Sequence, residues 1–365
     1  MKLIYGAGKY GQAFLRTMEA SGLQILGFID QFSEDGHIAG KPVWRIADAP
    51  KIHEVIISIP RQAIPHTRNI KLDLIEAGFE QVLDFDQAIK RYPDMPRHLA
   101  HHKLLWMHPN RSVMLNESAL RRISNLLRDA KSREVLASLI RFRRSLHGSD
   151  YPEPDGETEY FPNDVPWQPN EDLSFVDGGA WTGDTIEHLL HKCKETGIGV
   201  KWIAAFEPDR KNRELLANTI YKLKHTGSEP YLFVWPCALW SQNRILQFSC
   251  EGNSASHVID GHDGHSESTF AVALDTVLSG AEPNYIKLDI EGAELPALQG
   301  AKLLIEKCRP NLAICLYHRP QDLWQIPLWI AEHWPSYDFH LRLHGPMGLS
   351  TVLYCTHSEK KNCAC

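Results

Sequence analysis

Three residues near the middle of the chain, Asp177, Gly179 and Gly183, have the types and spacing of a cofactor-binding turn. They follow the apolar segment Ser174–Val176, which predicts a buried strand, and they precede Thr185–Lys194, which predicts a helix. Glycines let the backbone approach a ligand closely, and the free N–H groups at the start of a helix favour negative charge. The order of strand, glycine turn and helix therefore predicts a nucleotide-type pocket.

A carboxylate follows where a ribose would be bound. The segment Lys201–Phe206 predicts the next strand and is followed by Glu207, about 20 residues beyond the last glycine. Glu207 can accept both ribose hydroxyls, while Asp177 can bind the amino-acid end of a cofactor, directly or through water. An acid this close to the turn disfavours a pyrophosphate and favours S-adenosylmethionine, with a merely structural turn as the alternative. We also assign Ala238 and Leu239 to this cofactor site.

Acidic residues and a histidine follow two later predicted strands. The strand Tyr285–Asp289 leads into Glu291, and the strand Asn311–Tyr317 leads into His318. Ligands of parallel sheets bind at the carboxyl ends of the strands, so we expect Asp289 and Glu291 to orient a nucleophile there. His318 can act as a general base or can be a structural partner of these acids. A divalent metal shared by Asp289, Glu291 and His318 is a third hypothesis.

Glu294 is expected in a different role, because it stands just before Leu295 and Pro296 at the start of a predicted helix. A carboxylate there caps the helix or stabilises its first turn. Methyl transfer from a sulfonium needs positioning and the removal of one proton, since the electrophile is already activated by its charge. The chain accordingly shows no Ser-His-Asp arrangement in motif context.

A second glycine motif opens the chain. Gly6, Gly8 and Gly11 form GxGxxG after the predicted strand Lys2–Tyr5, and Asp30 ends the next predicted strand about 20 residues later. This pattern predicts a Rossmann-like nucleotide-binding domain over residues 1–90. Its ligand would be NAD or a nucleotide-sugar, and a scaffold that has lost its ligand is the alternative.

A helical connector is predicted over residues 91–165, because Glu117–Leu146 carries leucines and isoleucines at helical spacing. Its basic run, Arg141–Arg144, fits either a phosphate or anionic glycan contact or a solvated helix face. The loop Cys250–Ser268 is rich in Gly, Ser, His and Asp and is expected to shape acceptor specificity.

Bulk composition narrows the class of protein. The chain has 365 residues, 43% hydrophobic and 23% charged, which is enough for two domains with separate cores. A formal net charge of −6 argues against a general nucleic-acid binder. No run of about 20 apolar residues predicts a membrane span. The 8 cysteines form no paired CxxC clusters, and we predict reduced thiols and a cytoplasmic location.

Five segments together resemble a known family: FVDGGAWTGDT, AAFEPDRKN, ALDTVL, YIKLDIEGAELPALQGA and LAICLYHRPQDLWQIP. They are similar to the FkbM-type S-adenosylmethionine-dependent methyltransferases over about Tyr160–Tyr354. The resemblance implies a class I methyltransferase fold, a seven-stranded sheet ending in an antiparallel hairpin at Asp338–Tyr354, and O-methylation of sugar or polyketide hydroxyls. Trp181 departs from the small polar residue common in the turn, which leaves its role open. The N-terminal domain is similar to nucleotide-binding domains that precede sugar acyltransferases.

We therefore expect an α/β protein with a class I methyltransferase domain over 166–365, preceded by the Rossmann-like domain and the connector. The predicted activity is methylation of a hydroxyl on a sugar or glycan acceptor, with no nucleic-acid partner and the oligomeric state left open. An oxidoreductase that uses the N-terminal GxGxxG motif with NAD(P) or a sugar nucleotide is the alternative enzyme. A sensor that binds ligands without catalysis is the third class.

Overall fold

The computed structural model describes residues 1–51, 54–60, 69–102, 106–169, 171–223, 230–249, 258–259 and 266–357. Most of the predicted specificity loop, Cys250–Ser268, lies outside these residues. The chain forms two compact units, which comprise Met1–Asn116, Glu134–Pro154 and Gly345–Leu349 in the first and Glu117–Arg133, Asp155–His344 and Ser350–Cys365 in the second. The predicted connector, 91–165, contributes residues to both units, and the domain boundaries stay a prediction.

The first unit contains a mostly parallel sheet with a helix after its first strand. Its elements are β1 (Lys2–Tyr5), α1 (Lys9–Ala20), β2 (Ile25–Ile29), β3 (His37–Ile38), β4 (Lys41–Trp44), β5 (Glu54–Ile57), α2 (Ile70–Glu76), β6 (Val82–Leu83), α3 (Phe85–Arg91), α4 (Met95–His101) and α5 (Arg111–Met114). The strand order is β3-β4-β2-β1-β5-β6, and of the described strands β3 alone runs antiparallel to its neighbour. This order agrees with the predicted Rossmann-like unit.

The second unit is larger, and its described elements alternate between strands and helices. They are α6 (Glu117–Leu126), α7 (Ala130–Ser145, whose later residues belong to the first unit), β7 (Leu173–Gly178), α8 (Asp184–Thr196), β8 (Val200–Phe206), α9 (Arg210–Leu223), β9 (Tyr231–Trp235), β10 (Ala238–Leu239), β11 (Arg244–Ser249), β12 (Val258–Ile259), β13 (Ser266–Val272), α10 (Leu274–Val277), β14 (Tyr285–Leu288), α11 (Glu294–Gln299), α12 (Lys302–Cys308), β15 (Asn311–Cys315), α13 (Asp322–His333), β16 (Tyr337–Leu343) and β17 (Thr351–His357). Short 3-10 turns occupy Gly148–Asp150 and Pro346–Gly348 of the first unit.

The main sheet of the second unit has the seven described strands in the order β16-β17-β15-β14-β7-β8-β9. Strand β17 runs antiparallel to both β15 and β16, and the other described pairs are parallel. The predicted seven-stranded sheet with its terminal antiparallel hairpin is therefore confirmed. The chain extends from β7 to β8 and β9 on one side and later adds β14 on the other, and a ligand crevice is expected at the carboxyl ends of strands at such a reversal.

A smaller sheet accompanies it, with described strands in the order β10-β13-β11-β12. Strand β10 runs parallel to β13, and β11 runs antiparallel to both β12 and β13. This sheet brings Ala238 and Leu239 into a buried position next to the main sheet's β7.

Aromatic packing fixes the segment that leads into β7. The ring of Phe161 lies 5.2 Å from that of Trp167 and 6.0 Å from that of Tyr285, and the Phe175 ring lies 5.5 Å from Tyr285. These side chains are fully buried in the core of the second unit. Such rings contribute large buried areas, so they hold the neighbouring Tyr160 against the sheet.

Among the described residues, no helix is both long enough and apolar enough to cross a membrane. The described cysteines, Cys193, Cys237, Cys308, Cys315 and Cys355, are free thiols. The cytoplasmic location stays a prediction.

Candidate active site

The glycine turn after β7 is built from residues in left-handed conformations. Gly179 has φ 80°, Trp181 has φ 44° and Gly183, which caps α8, has φ 87°. A Cβ on Gly179 would lie 1.9 Å from the carbonyl oxygen of Asp289, so the close approach of the neighbouring strand requires glycine there. The turn thus packs closely against the chain that follows β14, and its contact with a ligand stays a prediction.

Glu207, which follows β8, reaches across to this turn. Its Oε2 accepts a hydrogen bond from the Trp181 N–H at 2.9 Å, and its Oε1 accepts one from the Asp209 N–H at 2.9 Å. The residue is 5% exposed. Burial raises the pKa of this carboxyl to about 7, and the two N–H donors only partly offset that effect. The structure therefore brings Glu207 and the glycine turn together, and both side-chain oxygens face hydrogen-bond donors.

Asp177 is buried and paired with a residue that the sequence analysis missed. Its Oδ1 lies 2.9 Å from the Nζ of Lys287, which also donates to the carbonyl oxygen of Gly179 at 2.7 Å. Burial raises the pKa of Asp177 to about 6, and the Lys287 charge only partly offsets this. Burial alone would lower the pKa of Lys287, but the charges of Asp177 and Asp289 outweigh it and raise that pKa above its ordinary value.

The second oxygen of Asp177, Oδ2, is buried and has no hydrogen-bond partner. Buried carboxylate oxygens are normally satisfied, so this atom is an open acceptor. A single lysine within the apolar run Tyr285–Leu288 was the available sequence signal for the pair, because a buried ammonium requires a counter-charge. The contact of Asp177 with the amino-acid end of a cofactor stays a prediction.

Asp289 follows β14 and accepts hydrogen bonds from two tyrosines. The Tyr160 hydroxyl donates to its Oδ2 at 2.7 Å, and the Tyr317 hydroxyl donates to its Oδ1 at 2.9 Å. Burial would raise the pKa of Asp289, but the contact with His318 and the charge of Lys287 outweigh it and hold this pKa well below its usual range. Asp289 is therefore ionised, with both oxygens held in fixed directions.

His318 lies among three carboxylates, as its predicted partners imply. Its Nε2 is 3.2 Å from Asp289 Oδ1 and 3.6 Å from Glu291 Oε1, and its Nδ1 is 2.8 Å from Glu294 Oε1. Burial would lower the pKa of His318, but the charges of Glu291 and Glu294 and the contact with Asp289 raise it well above its ordinary value. With these neighbours alone, the ring is a cation that neutralises the acids and has no free site for a proton.

Two residues in left-handed conformations, of which only the non-glycine Glu291 is strained, orient the acids after β14. Glu291 has φ 54° and Gly292 has φ 91°, and a Cβ on Gly292 would lie 2.8 Å from the Nε of Arg319. Glu294 begins α11, as predicted, and its Oε1 accepts from the Ile290 N–H at 2.8 Å, which closes the turn. Burial raises the pKa of Glu291. Left-handed non-glycine residues cost about 1–3 kcal/mol and cluster at functional sites.

The remaining assigned residues lie at the same end of the sheet. Ala238 and Leu239 are 7% and 2% exposed, and a Leu239 methyl lies 2.9 Å from the position of a Cβ on Gly178. Their contact with a cofactor stays a prediction.

Glu159, which no sequence signal marked, lies next to Tyr160, and burial together with the Asp289 charge raises its pKa to about 8.

The N-terminal motif forms a second candidate site in the first unit. Gly6 has φ 94°, and a Cβ on Gly11 would lie 1.8 Å from the Gly6 carbonyl oxygen, whereas a Cβ on Gly8 would meet nothing within 4 Å. Asp30 Oδ2 accepts a hydrogen bond from the Ala7 N–H at 2.8 Å. A cavity of about 210 Å³ opens beside Asp30 and is lined in part by Ser33, Glu34, Trp44, Arg45 and Asp48. The predicted nucleotide ligand of this site is untested by these contacts.

Comparisons with known proteins find a family model that covers the second site. Residues 177–343 match a family model described as the methyltransferase FkbM domain. No curated protein matches the chain significantly. Its fold is similar to that of the methyltransferase FkbM from Methylobacillus flagellatus KT, with a TM-score of 0.63 and 22% identity over 97% of this chain and 89% of that one. The matched region begins at Asp177 and contains Glu207, Asp289, Glu291 and His318. Residues 177–343 are therefore similar to the FkbM methyltransferase domain, and the chain shares the fold of this structural neighbour.

Proposed function

We propose that the protein is an S-adenosylmethionine-dependent methyltransferase that methylates a hydroxyl group of a sugar or glycan. The observation that carries the cofactor assignment is the buried Glu207 carboxylate, which lies within hydrogen-bond distance of the glycine turn. When ionised, Glu207 can accept hydrogen bonds from two ribose hydroxyls in place of the two backbone N–H groups. The match of residues 177–343 to the FkbM methyltransferase domain supports methyl transfer. The hydroxyl acceptor is our addition to that match.

The residues present fit this cofactor on structural grounds. Gly179 exposes backbone at the crevice, and Asp177 Oδ2 is a buried acceptor without a partner that suits an ammonium or a water bound to one. Lys287 keeps the neighbouring Asp177 oxygen paired, so the charge at the end of β7 remains fixed. When bound, S-adenosylmethionine supplies a methyl group that its sulfonium charge has already activated.

The acids after β14 then act on the acceptor hydroxyl. Asp289 is ionised and rigidly held by two tyrosine hydroxyls, so it orients the hydroxyl by accepting its hydrogen bond. Glu291 is a stronger base than Asp289, because burial raises its pKa. Its side chain is still 30% exposed. We assign it the hydroxyl proton. His318 contacts both acids and positions them.

For the N-terminal unit we propose nucleotide binding, with NAD or a nucleotide-sugar as the ligand. The closed glycine turn and the cavity beside Asp30 support this proposal. Asp30 would accept the ribose hydroxyls in place of the Ala7 N–H. A nucleotide-sugar would fit the sugar acceptor of the methyltransferase domain.

Calorimetric titration of the purified chain with S-adenosylmethionine, S-adenosylhomocysteine, NAD and a UDP-sugar tests both assignments. We expect the first two to bind and the Glu207→Gln variant to bind them more weakly. S-adenosylhomocysteine release in the presence of a panel of sugars would then identify the acceptor. NAD binding without any response to the first two ligands would overturn the methyltransferase proposal in favour of an N-terminal oxidoreductase.

A further inference from the structure

Three side chains at the β14 end of the sheet have the chemistry of metal ligands. One ligand atom each from Asp289, Glu294 and His318 lies within 4.8 Å of the other two. Ligands that share one ion at about 2.1 Å are roughly 3.0–3.5 Å apart at tetrahedral or octahedral angles. The group therefore needs a closure of about an ångström, which side-chain rotation supplies.

Two of these side chains are buried and carry polar atoms that make no aligned hydrogen bond. The His318 side chain is 6% exposed, and neither ring nitrogen makes an aligned hydrogen bond, although carboxylate oxygens lie 2.8 Å and 3.2 Å away. The Glu294 side chain is 0% exposed, and its Oε2 has no partner. Buried polar atoms are normally paired, so these atoms point to a missing ligand between them.

Charge around the group is also unbalanced. Four carboxylates act on this region, namely Asp289, Glu291, Glu294 and Asp322. The facing cations are His318 and Arg319, while Lys287 is hydrogen-bonded to Asp177 and acts on Asp289 from the other side. Burial raises the pKa of Glu291 and Asp322 and so favours their neutral forms, and a divalent cation would supply counter-charge to the carboxylates that stay ionised.

We propose that Asp289, Glu294 and His318 bind a divalent metal ion at the edge of the crevice. One imidazole nitrogen and two carboxylates suit first-row ions such as Mn²⁺ and Zn²⁺. The set differs from the one in the third hypothesis of the sequence analysis, because Glu294 replaces Glu291. Tyr160 and Tyr317 hold the Asp289 oxygens, as outer partners of metal ligands commonly do. The site does not depend on the assignment of methyl transfer.

The first test is a Mn²⁺ titration of the chain after dialysis against a chelator, followed by electron paramagnetic resonance. We expect one ion per chain, with affinity reduced at least about tenfold in both Glu294→Gln and Asp289→Asn. Glu282→Gln is the control, because it removes one negative charge from an exposed position of the same unit, and we expect a change of less than about threefold. Circular dichroism checks that each variant is folded. Because two ligand variants are measured, the test still stands if one of them does not fold.

A spectroscopic measurement on the same samples identifies the histidine. Electron spin echo modulation should show an imidazole nitrogen bound to Mn²⁺ in the wild-type chain, and His318→Asn should lose it. Absence of Mn²⁺ binding below about 1 mM, or equal losses in all three carboxylate variants, would overturn the site. Titration of the same samples with S-adenosylhomocysteine keeps the two proposals apart, since either ligand can bind without the other.

Discussion

The two glycine turns of this chain share one local arrangement. In each, an acid after the second strand accepts a hydrogen bond from a backbone N–H inside the turn: Asp30 from Ala7 at 2.8 Å, and Glu207 from Trp181 at 2.9 Å. In each, one glycine is required because a Cβ would meet a backbone carbonyl oxygen within 2 Å. Local geometry is therefore nearly the same in both units.

The surroundings of the two acids differ. Burial raises the pKa of Glu207 to about 7, whereas the N–H donors of Ala7, Phe32 and Ser33 outweigh burial at Asp30 and lower its pKa. The strand beside each turn differs as well. Strand β14 brings Lys287 and Asp289 to the second turn, while β5 leads only to the Ser58 hydroxyl, which donates to the Tyr5 carbonyl oxygen. The two glycine turns are thus alike in their close backbone packing, and the strand beside each turn determines which charged groups surround it.

Replacing the buried lysine should give the largest effect. Lys287→Met leaves Asp177 buried and unpaired, and we expect the free energy of unfolding to fall by about 3–5 kcal/mol. The control is Lys2→Met in β1, which breaks a partly exposed ion pair with Glu54 and should cost about 1 kcal/mol or less. Urea denaturation, fitted with separate transitions for the two units, measures both.

A second substitution identifies the cause of that loss. Adding Asp177→Asn to Lys287→Met removes the unpaired charge and should recover at least half of the lost stability. If the double variant is no more stable than Lys287→Met alone, the cost comes from packing and the ion pair is not the difference between the two turns.

Replacing the glycine that each turn requires should show which of the two turns binds the cofactor. Gly179→Ala forces a Cβ against the Asp289 carbonyl oxygen in a left-handed conformation, with a strain of about 2–4 kcal/mol. We expect it to weaken S-adenosylhomocysteine binding, measured by calorimetry. Gly11→Ala meets the equivalent clash in the first unit and should leave this affinity unchanged. Equal losses in the two variants would contradict the assignment of the cofactor to the second turn.

Replacing the acid that lies against each glycine turn tests the same cofactor assignment, with a smaller expected effect. Glu207→Ala should weaken S-adenosylmethionine binding by about 1–3 kcal/mol, because the ribose hydroxyls lose their acceptor. Asp30→Ala is the matched control and should have no effect on this ligand. An unchanged dissociation constant for Glu207→Ala would show that β8 does not contribute the ribose site.

The pH dependence of S-adenosylhomocysteine binding is the smallest of the expected effects, but it should remain measurable. Ribose hydroxyls donate to an ionised carboxylate, so affinity for S-adenosylhomocysteine should rise with pH through the Glu207 pKa of about 7. Between pH 6 and 8 the increase is at most about tenfold if only the ionised form binds. Binding should also release protons, which calorimetry in buffers of different ionisation enthalpy detects. An affinity that falls over this range, or proton uptake, would have the wrong sign for Glu207.

Local patterns predicted those parts of the site that are close together in the chain. The buried strand, the glycine turn and the acid after β8 follow from residue types within 34 positions, Ser174 to Glu207, and the structure brings them together. The hairpin β16 to β17 was implied by the resemblance to the FkbM-type methyltransferases, and the structure contains it. Strands β3 and β4 were missed, because their short, partly exposed segments show no clear alternation.

Long-range pairs could not be predicted from these patterns. Lys287 and Asp177 are separated by 110 residues, and Tyr160 and Asp289 by 129. Tyr160 lies in a segment without strand or helix signal, and aromatic packing of the adjacent Phe161 fixes its position. Glu294 was assigned to the helix start, which is correct, but its contact with His318 was not foreseen.

The sequence by itself determined where ligands can approach, since glycine positions, strand ends and their acids depend on backbone conformations that neighbouring residues specify. Only the tertiary structure decided which charges share one environment. Parallel strands bring distant segments side by side, so Lys287 meets Asp177, and His318 meets Asp289 and Glu294, through strand order alone. Burial then sets the strength of these interactions, because it removes the water that would otherwise screen them.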